Sequence, residues 1–296
     1  KPRLPTKGEQ YYYTTSKDRF TTSNSVSSIR DPCELTLTVV VPAYNETERL
    51  PIMIEDAAEY LKDENQRDPD FKYEIIIVDD GSKDNTSETA LRSAEQYGIK
   101  EHLKVIKLEL NRGKGGAVTQ GTLAARGKYI LFADADGATK FSDIEHLVKR
   151  MDQVIDQGQG VVIGSRTHLE GTGAVVKRTA LRSFLMMGFH TYLNILGIRG
   201  IRDTQCGFKL FSRKSAHIIF TNLHTERWIF DIEALLLAKL FKMPIAEVNV
   251  NWHEVAGSKI NIIRDAIRMA LDLLMIRLCY SAGVWKVTNP LLSKVK

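Results

Sequence analysis

The chain has 296 residues, 43% hydrophobic and 26% charged, which suits one large α/β domain or two small ones. Its formal net charge of +5 is below the excess typical of nucleic-acid-binding proteins, so we expect no nucleic acid partner. A phosphate-bearing substrate or an anionic membrane surface fits this charge at least as well. Cys33, Cys206 and Cys279 are odd in number and far apart, which predicts free thiols in a reducing compartment.

Three regions follow one another along the chain. Residues 1–34 show no hydrophobic period and are rich in Ser, Thr, Lys and Tyr, which predicts a flexible linker or arm. We expect an ordered domain over 35–255, and an amphipathic helix with a tail over 256–296. No stretch reaches the 18 or so uninterrupted apolar residues of a spanning helix, and the first residues of the given sequence do not have the pattern expected of a signal peptide.

Short apolar strands alternate with amphipathic helices after residue 34. The predicted strands are 37–41, 74–78, 105–108, 129–132 and 161–163. The predicted helices are 50–61, 84–97, 115–126 and 142–155. This alternation is typical of an α/β fold with a mostly parallel central sheet and helices on both faces. Ligands bind such sheets beyond the carboxyl ends of the strands, so the residues that follow each strand are the candidates for a site.

Carboxylates, cations or glycines follow all five strands. The segments are Pro42 to Glu46, Asp79 to Ser82, Asn111 to Gly116, Asp134 to Asp136 and Gly164 to Arg166. Any one of them is compatible with an ordinary turn, but five together favour a ligand site.

Asp134 and Asp136 form the most informative pair, because they are separated by one residue at the end of an apolar strand. Two such carboxylates can hold Mg²⁺ or Mn²⁺, which completes its coordination with water and substrate phosphate oxygens. The ion would neutralise a diphosphate leaving group. The loop from Asn111 to Gly116 is a weaker signal: its glycines and cations suit an anionic ligand, without matching a P-loop or a dinucleotide motif.

These segments together resemble the inverting glycosyltransferases of the GT-A fold, a family that includes the polyisoprenyl-phosphate glycosyltransferases. The resemblance runs from about Leu37 to Lys259. It is carried by the sequence blocks 39–46, 78–82, 111–117, 133–139, 164–166, 200–211 and 226–233. The last two blocks are the most specific, and they narrow the resemblance to the branch that glucosylates dolichyl phosphate.

The resemblance implies a GT-A-like hexosyltransferase that uses UDP-glucose and Mg²⁺ or Mn²⁺ to glucosylate dolichyl phosphate for protein N-glycosylation. It further implies the endoplasmic reticulum membrane, with the catalytic domain on the cytosolic face and a single-span anchor upstream of Lys1. Three alternatives stay open: GDP-mannose as the donor, a non-catalytic membrane-associated nucleotide-binding subunit, and a soluble transferase for a small acceptor.

The resemblance also implies roles for individual residues. Those at the donor are Pro42, Ala43, Tyr44, Glu46, Asp79, Lys114, Asp134, Ala135 and Asp136, and those at the metal are Asp134 and Asp136. Those at the acceptor phosphate are Arg166, Arg178, Arg182, Ser258 and Lys259. The residues implied to act in catalysis are Asp136, Arg166 and Asp231. The residues implied to support the site are Asp203 and Gln205.

Two departures from related patterns qualify these roles. Ala138 stands where relatives that make mannosyl lipids carry Gln, so the third metal ligand stays open. Arg227-Trp228 lacks the preceding Gln of the cellulose-synthase-like branch, which argues against a processive polymerase.

A lipid phosphate is already an anion near neutral pH, so its attack on the sugar needs no strong base. For Asp231 we therefore favour sugar binding or support.

Two apolar segments fit a lipid surface. Residues 179–198 are apolar around most of a helix, with Arg178 and Arg182 near its start. Residues 260–285 carry one narrow polar stripe and end in aromatic residues, which favours an amphipathic helix at the membrane interface. The alternative for both segments is a core helix under the sheet.

Overall fold

The structure is a computed structural model that describes residues 2–16, 19–169, 200–255 and 262–291. Within these ranges nine strands form one sheet. The strands are β1 (Tyr11–Ser16), β2 (Arg19–Ser25), β3 (Leu35–Ala43), β4 (Tyr73–Asp79), β5 (Leu103–Lys107), β6 (Gly127–Ala133), β7 (Val161–Ser165), β8 (Phe208–Ser212) and β9 (Ile245–Asn249). The α-helices are α1 (Leu50–Arg67), α2 (Thr86–Gln96), α3 (Lys114–Leu123), α4 (Ile144–Val154), α5 (Arg213–Asn222), α6 (Phe230–Leu240) and α7 (Ile262–Ser281).

The strands lie in the order β2-β1-β5-β4-β3-β6-β8-β7-β9. The neighbours β5, β4, β3 and β6 are parallel, and β7 pairs with β9 in parallel. Strand β8 lies between β6 and β7 and runs antiparallel to both. The predicted α/β class is therefore confirmed, but the sheet is mixed, because β1 and β8 run against the other strands. Strands β3, β4, β5, β6, β7 and β9 run in the same direction, so their carboxyl ends lie at the same edge of the sheet.

Two helical layers cover the sheet. Val39 and Val41 of β3 face one core with α1, α2 and α4, whereas Val40 faces the other core with α3, α5 and α6. Burial on both faces explains why the central strands are continuous apolar runs in the sequence.

The segment 1–34, for which the sequence predicts a linker or arm, contains the hairpin of β1 and β2. Strand β1 pairs with β5 through Tyr13 and Val105. The backbone N–H of Ile29 donates to the Leu123 carbonyl at 2.7 Å, and Ile29 is buried. Thr- and Tyr-rich edge strands have β propensity without a regular apolar alternation, which is why composition alone predicts an arm here.

Helix α7 lies outside the two layers. Its inner side places Leu273 and Ile276 in a small core with Ile229 and Ile232. Its opposite side carries exposed apolar side chains, which are Leu271, Leu274, Met275 and Leu278. None of the helices in the described ranges combines the length and the apolar content needed to span a bilayer.

Candidate active site

The end of β4 holds the glycine-rich loop in place through Asp80. Its two carboxylate oxygens accept the backbone N–H groups of Arg112, at 2.6 Å, and of Gly113, at 2.8 Å. Burial, with a smaller contribution from neighbouring Asp79, raises the pKa of Asp80 to about 6. Asp79 is also buried, and its Oδ1 accepts the backbone N–H of Ser82 at 2.8 Å. The two carboxylates thus order the loops on either side of them.

The end of β3 lies beside this pair. Pro42 and Ala43 are buried at the end of the strand, and Tyr44 is partly exposed beyond them. Glu46 follows, and its carboxylate accepts two hydrogen bonds from the Arg49 guanidinium, at 2.7 and 2.5 Å. The predicted donor residues of this segment are therefore gathered at the edge of the sheet where β4 also ends.

Close packing explains the glycines at the start of α3. Gly113 has a φ of 84°, and a Cβ at this position would lie 2.7 Å from the Glu226 carbonyl oxygen. A Cβ on Gly115 would lie 2.5 Å from the Cβ of Phe230. Side chains at these positions would push the loop away from the start of α6, and Lys114, the first residue of α3, would move with it.

Asp134 and Asp136 follow β6 and face Lys114. The Lys114 ammonium lies 2.6 Å from Asp134 Oδ1. A Cβ on Gly207 would lie 1.9 Å from Asp134 Oδ2, so the carboxylate occupies a space that only glycine leaves. Burial and the neighbouring Asp134 raise the pKa of Asp136. Two close carboxylates with one ammonium give this position an excess of negative charge.

The described residues contain no group of three or more His, Cys, Asp or Glu side chains arranged to hold a metal ion. Mg²⁺ is commonly held by one or two carboxylates together with water and substrate phosphates, so Asp134 and Asp136 fit that chemistry. Ala138, whose side chain has no atom that could bind a metal, is buried and donates its backbone N–H to Asp136 Oδ1 at 3.1 Å.

A buried ion pair, which sequence reasoning missed in part, lies behind these carboxylates. The Lys209 ammonium is 2.6 Å from Asp231 Oδ1 and 2.6 Å from the Cys206 carbonyl oxygen. Lys209 is 1% and Asp231 4% exposed. Burial raises the pKa of Asp231, although Lys209 and Lys114 both act to lower it. The available signal was a lysine within the otherwise apolar run of β8.

Arg166, at the end of β7, is held by Asp203. Its Nε and Nη2 donate to the two Asp203 oxygens at 2.7 and 2.9 Å, and its backbone N–H donates at 3.0 Å. Burial opposes ionisation of Asp203, but the guanidinium holds the pKa of this carboxyl below its usual range. The Trp252 ring lies 5.4 Å from the guanidinium carbon. Such a bidentate pair fixes the orientation of Arg166.

A second polar cluster fastens the end of α7 to α6. The carboxylate of Glu233 accepts hydrogen bonds from the Tyr280 hydroxyl, at 2.8 Å, and from the Thr225 backbone N–H, at 2.7 Å. It also accepts the backbone N–H of His224 at 3.0 Å. The His224 ring stacks on Trp285 with centroids 4.3 Å apart. We call this cluster the α7 latch.

Some of the residues predicted from the sequence lie outside the described ranges, and others are described but have not yet been placed. Those outside the described residues are Arg178, Arg182, Ser258, Lys259 and the segment 179–198. Gln205 is exposed, and its Nε2 lies 3.9 Å from the Met269 sulfur. The three cysteines are free thiols, as predicted, and Cys206 is buried. Ala135, between Asp134 and Asp136 in the sequence, is buried.

Comparison with known proteins identifies a matching family model and, more specifically, similar proteins that share one description. A sequence model described as "Glycosyl transferase family 2" matches residues 38–220. Dolichyl-phosphate beta-glucosyltransferase of Homo sapiens is 46% identical over 288 residues, covering 97% of this chain and 87% of the relative. The relative of the same description in Dictyostelium discoideum is 49% identical, with coverage of 86% and 77%. That in Saccharomyces cerevisiae is 45% identical, with coverage of 96% and 88%.

Solved structures share the fold at low identity. Glucosyl-3-phosphoglycerate synthase from Mycobacterium tuberculosis in complex with UDP has a TM-score of 0.56 at 18% identity, covering 84% of this chain and 80% of that one. The same enzyme has been solved with UDP and Mg²⁺, and with Mn²⁺, UDP and glucosyl-3-phosphoglycerate. The predicted GT-A-like fold is confirmed. The chain belongs to glycosyl transferase family 2 and, within it, to the family of the dolichyl-phosphate beta-glucosyltransferases.

Proposed function

We propose that this protein transfers glucose from UDP-glucose to dolichyl phosphate with inversion, giving dolichyl β-D-glucosyl phosphate for lipid-linked oligosaccharide and N-glycan assembly. The observation that carries the proposal is the group formed by Lys114, Asp134 and Asp136 at the carboxyl edge of the sheet. It occurs in a chain 45–49% identical to three enzymes described by this activity.

Asp134 and Asp136 are the proposed ligands of Mg²⁺ or Mn²⁺. Their excess of negative charge and the space that Gly207 leaves for the Asp134 carboxylate support this assignment. The ion, when bound, supplies positive charge to the diphosphate leaving group. Lys114 already lies at the same carboxylates, so its ammonium can bind the diphosphate beside them.

The proposed nucleotide pocket lies at the ends of β3 and β4. Its base and ribose contacts are Pro42, Ala43, Tyr44, Glu46 and Asp79, and Ala135 lies next to the diphosphate. These residues are brought to one edge of the sheet, and their loops are ordered by hydrogen bonds to Asp79 and Glu46. A pocket with fixed walls binds its ligand with less loss of conformational freedom.

The acceptor phosphate attacks the anomeric carbon from the side opposite the leaving diphosphate. This in-line displacement passes through an oxocarbenium-like transition state and converts an α-linked donor into a β-linked product. Because the phosphate is already an anion, the protein's task is alignment and charge stabilisation. Arg166 is the proposed phosphate contact, and Asp203 and Gln205 are its proposed support. For Arg178, Arg182, Ser258 and Lys259 the proposal rests on the family resemblance alone.

Asp136, Arg166 and Asp231 are the residues to which we assign catalysis. Asp231 is buried and paired with Lys209, an environment that suits support of the neighbouring charges better than proton abstraction. We therefore propose that Asp231 contacts the sugar or orders Lys114, whose charge it stabilises.

The exposed apolar side of α7 is the proposed contact with the cytosolic face of the endoplasmic reticulum membrane. Leu271 and Leu278 are 61% and 59% exposed on that side, and the α7 latch holds the helix in a fixed position. An acceptor with a polyisoprenyl tail lies in a bilayer, so the enzyme needs a surface that binds lipid. Interfacial helices bury such an apolar side at the headgroup boundary.

We expect the double change Leu271→Glu and Leu278→Glu to weaken association with phosphatidylcholine–phosphatidylserine liposomes at least about tenfold, since two leucines lose their apolar contact. Flotation of the purified protein measures this. The control is Leu4→Glu with Leu110→Glu, two exposed leucines outside α7. Equal flotation of the α7 variant and the control would contradict the assignment.

Transfer from radiolabelled UDP-glucose and, separately, GDP-mannose to dolichyl phosphate in detergent tests the function directly. We expect glucosyl lipid with UDP-glucose and Mg²⁺, and none after addition of EDTA. Transfer from GDP-mannose alone would keep the mechanism and overturn the donor. Binding of UDP without transfer from either donor would instead favour a non-catalytic nucleotide-binding subunit.

A further inference from the structure

A buried arginine connects the glycine-rich loop to the N-terminal segment. Arg112 is 6% exposed, although it lies two residues before Lys114 at the edge of the site. Its Nη1 donates to Glu9 at 3.3 Å. Its Nη2 donates to Glu226 at 3.2 Å and to the Arg3 carbonyl at 2.9 Å. The guanidinium thus points away from the donor pocket and into a second set of partners.

Glu9 is buried, and both of its carboxylate oxygens accept hydrogen bonds from the backbone. It is 4% exposed. Its Oε1 accepts the backbone N–H of Glu109, at 3.2 Å, and its Oε2 accepts the backbone N–H of Thr6, at 2.9 Å. The Glu109 contact joins the N-terminal segment to the chain just before Arg112. The Glu9 carboxylate therefore binds the backbone of Glu109 and the side chain of Arg112.

Glu226 completes the arrangement from the opposite side. Its carboxylate accepts the Arg3 Nε at 3.0 and 3.1 Å. Its carbonyl accepts the backbone N–H of Gly116 at 2.9 Å. The loop is therefore held at Arg112 by the N-terminal segment and at Gly116 by Glu226, with Lys114 between these two points.

We propose that residues 3–9 form a strap that positions Lys114 for the diphosphate of the donor, with Glu9 as the main positioning residue. The inference rests on the proposed function, which gives Lys114 its ligand. A buried guanidinium is stabilised by neighbouring carboxylates. Loss of one of these partners leaves part of its charge uncompensated in a low-dielectric environment, which is unfavourable. In the Glu9→Gln variant Arg112 then moves towards water and draws the loop away from Asp134.

Calorimetric titration with UDP and with UMP, both in Mg²⁺, tests the strap. We expect Glu9→Gln to weaken UDP binding on the order of tenfold, as loss of an outer-shell partner does at other sites. UMP binding should change much less, because UMP lacks the terminal phosphate. Glu9→Asp should restore part of the UDP affinity. In the transfer assay the KM for UDP-glucose should rise, whereas the KM for dolichyl phosphate stays unchanged.

Two further variants make the outcome decisive. Glu101→Gln is the control, because it removes the same charge from an exposed side chain just before β5, at the opposite end of that strand from Glu109. Arg3→Ala removes the exposed contact with Glu226 and serves if Glu9→Gln does not fold. Unchanged UDP affinity in Glu9→Gln, or in Arg3→Ala where Glu9→Gln does not fold, would overturn the strap, and so would an equal loss of UDP and UMP binding. Failure of the wild type to glucosylate dolichyl phosphate would overturn the function and leave the titrations readable.

Discussion

Asp134→Asn is expected to lower glucosyl transfer roughly 10²- to 10³-fold in Mg²⁺, the cost of losing one charge-stabilising group at a reacting centre. The substitution removes the carboxylate that lies 2.6 Å from Lys114 and halves the charge of the proposed metal site. The rate of glucosyl lipid formation from UDP-glucose measures the effect. With EDTA present, the wild type and the variant should become equally slow.

Asp63→Asn provides the matched control, because Asp63 is an exposed carboxylate on α1. Its transfer rate should equal that of the wild type with and without the metal. Retention of metal-dependent transfer by Asp134→Asn at more than about a tenth of the wild-type rate would contradict the ligand assignment.

Lys209→Met should destabilise the protein by about 3–5 kcal/mol, because it leaves the buried Asp231 carboxylate without its partner at 2.6 Å. For a domain of this size, we expect the Tm to fall on the order of 10 °C. Adding Asp231→Asn should recover more than half of that loss, since the uncompensated charge is then gone. Thermal unfolding of the single and double variants measures the coupling.

Lys214→Met is the control for this pair, because Lys214 is exposed and its ammonium meets only the Gln157 carbonyl, at 2.8 Å, among the described hydrogen bonds. Its Tm should stay within about 1–2 °C of the wild type, as for most surface substitutions. Strictly additive losses in the Lys209 and Asp231 variants would show that the pair is not energetically coupled. A stable double variant without transfer activity would show that this pair is needed for transfer as well as for stability.

The central part of the site could be predicted from the sequence because it depends on local pattern. Apolar runs identify the buried strands, and the residues at their carboxyl ends must meet at one edge of a parallel sheet. Asp79, Asp134 and Arg166 were found in this way. Their assigned roles, and the domain limits at 34 and 255, stay predictions.

The ion pairs across the fold could not be predicted in the same way. Lys209 lies on β8, whose antiparallel insertion between β6 and β7 has no signature in the alternation of strands and helices. Its partner Asp231 follows 22 residues later, and Glu9 precedes Arg112 by 103. Such partners become neighbours only through sheet order, which short-range periodicity does not contain.

Helix α6 connects two parts of the molecule. Asp231 belongs to the charge pair behind the site, and Glu233, two residues later, accepts the Tyr280 hydroxyl of the α7 latch. Both side chains are buried on one helix of 11 residues, whose length is about 16 Å. If α7 contacts the bilayer as proposed, packed secondary structure and no loop connects the lipid surface with the charge pair behind the site.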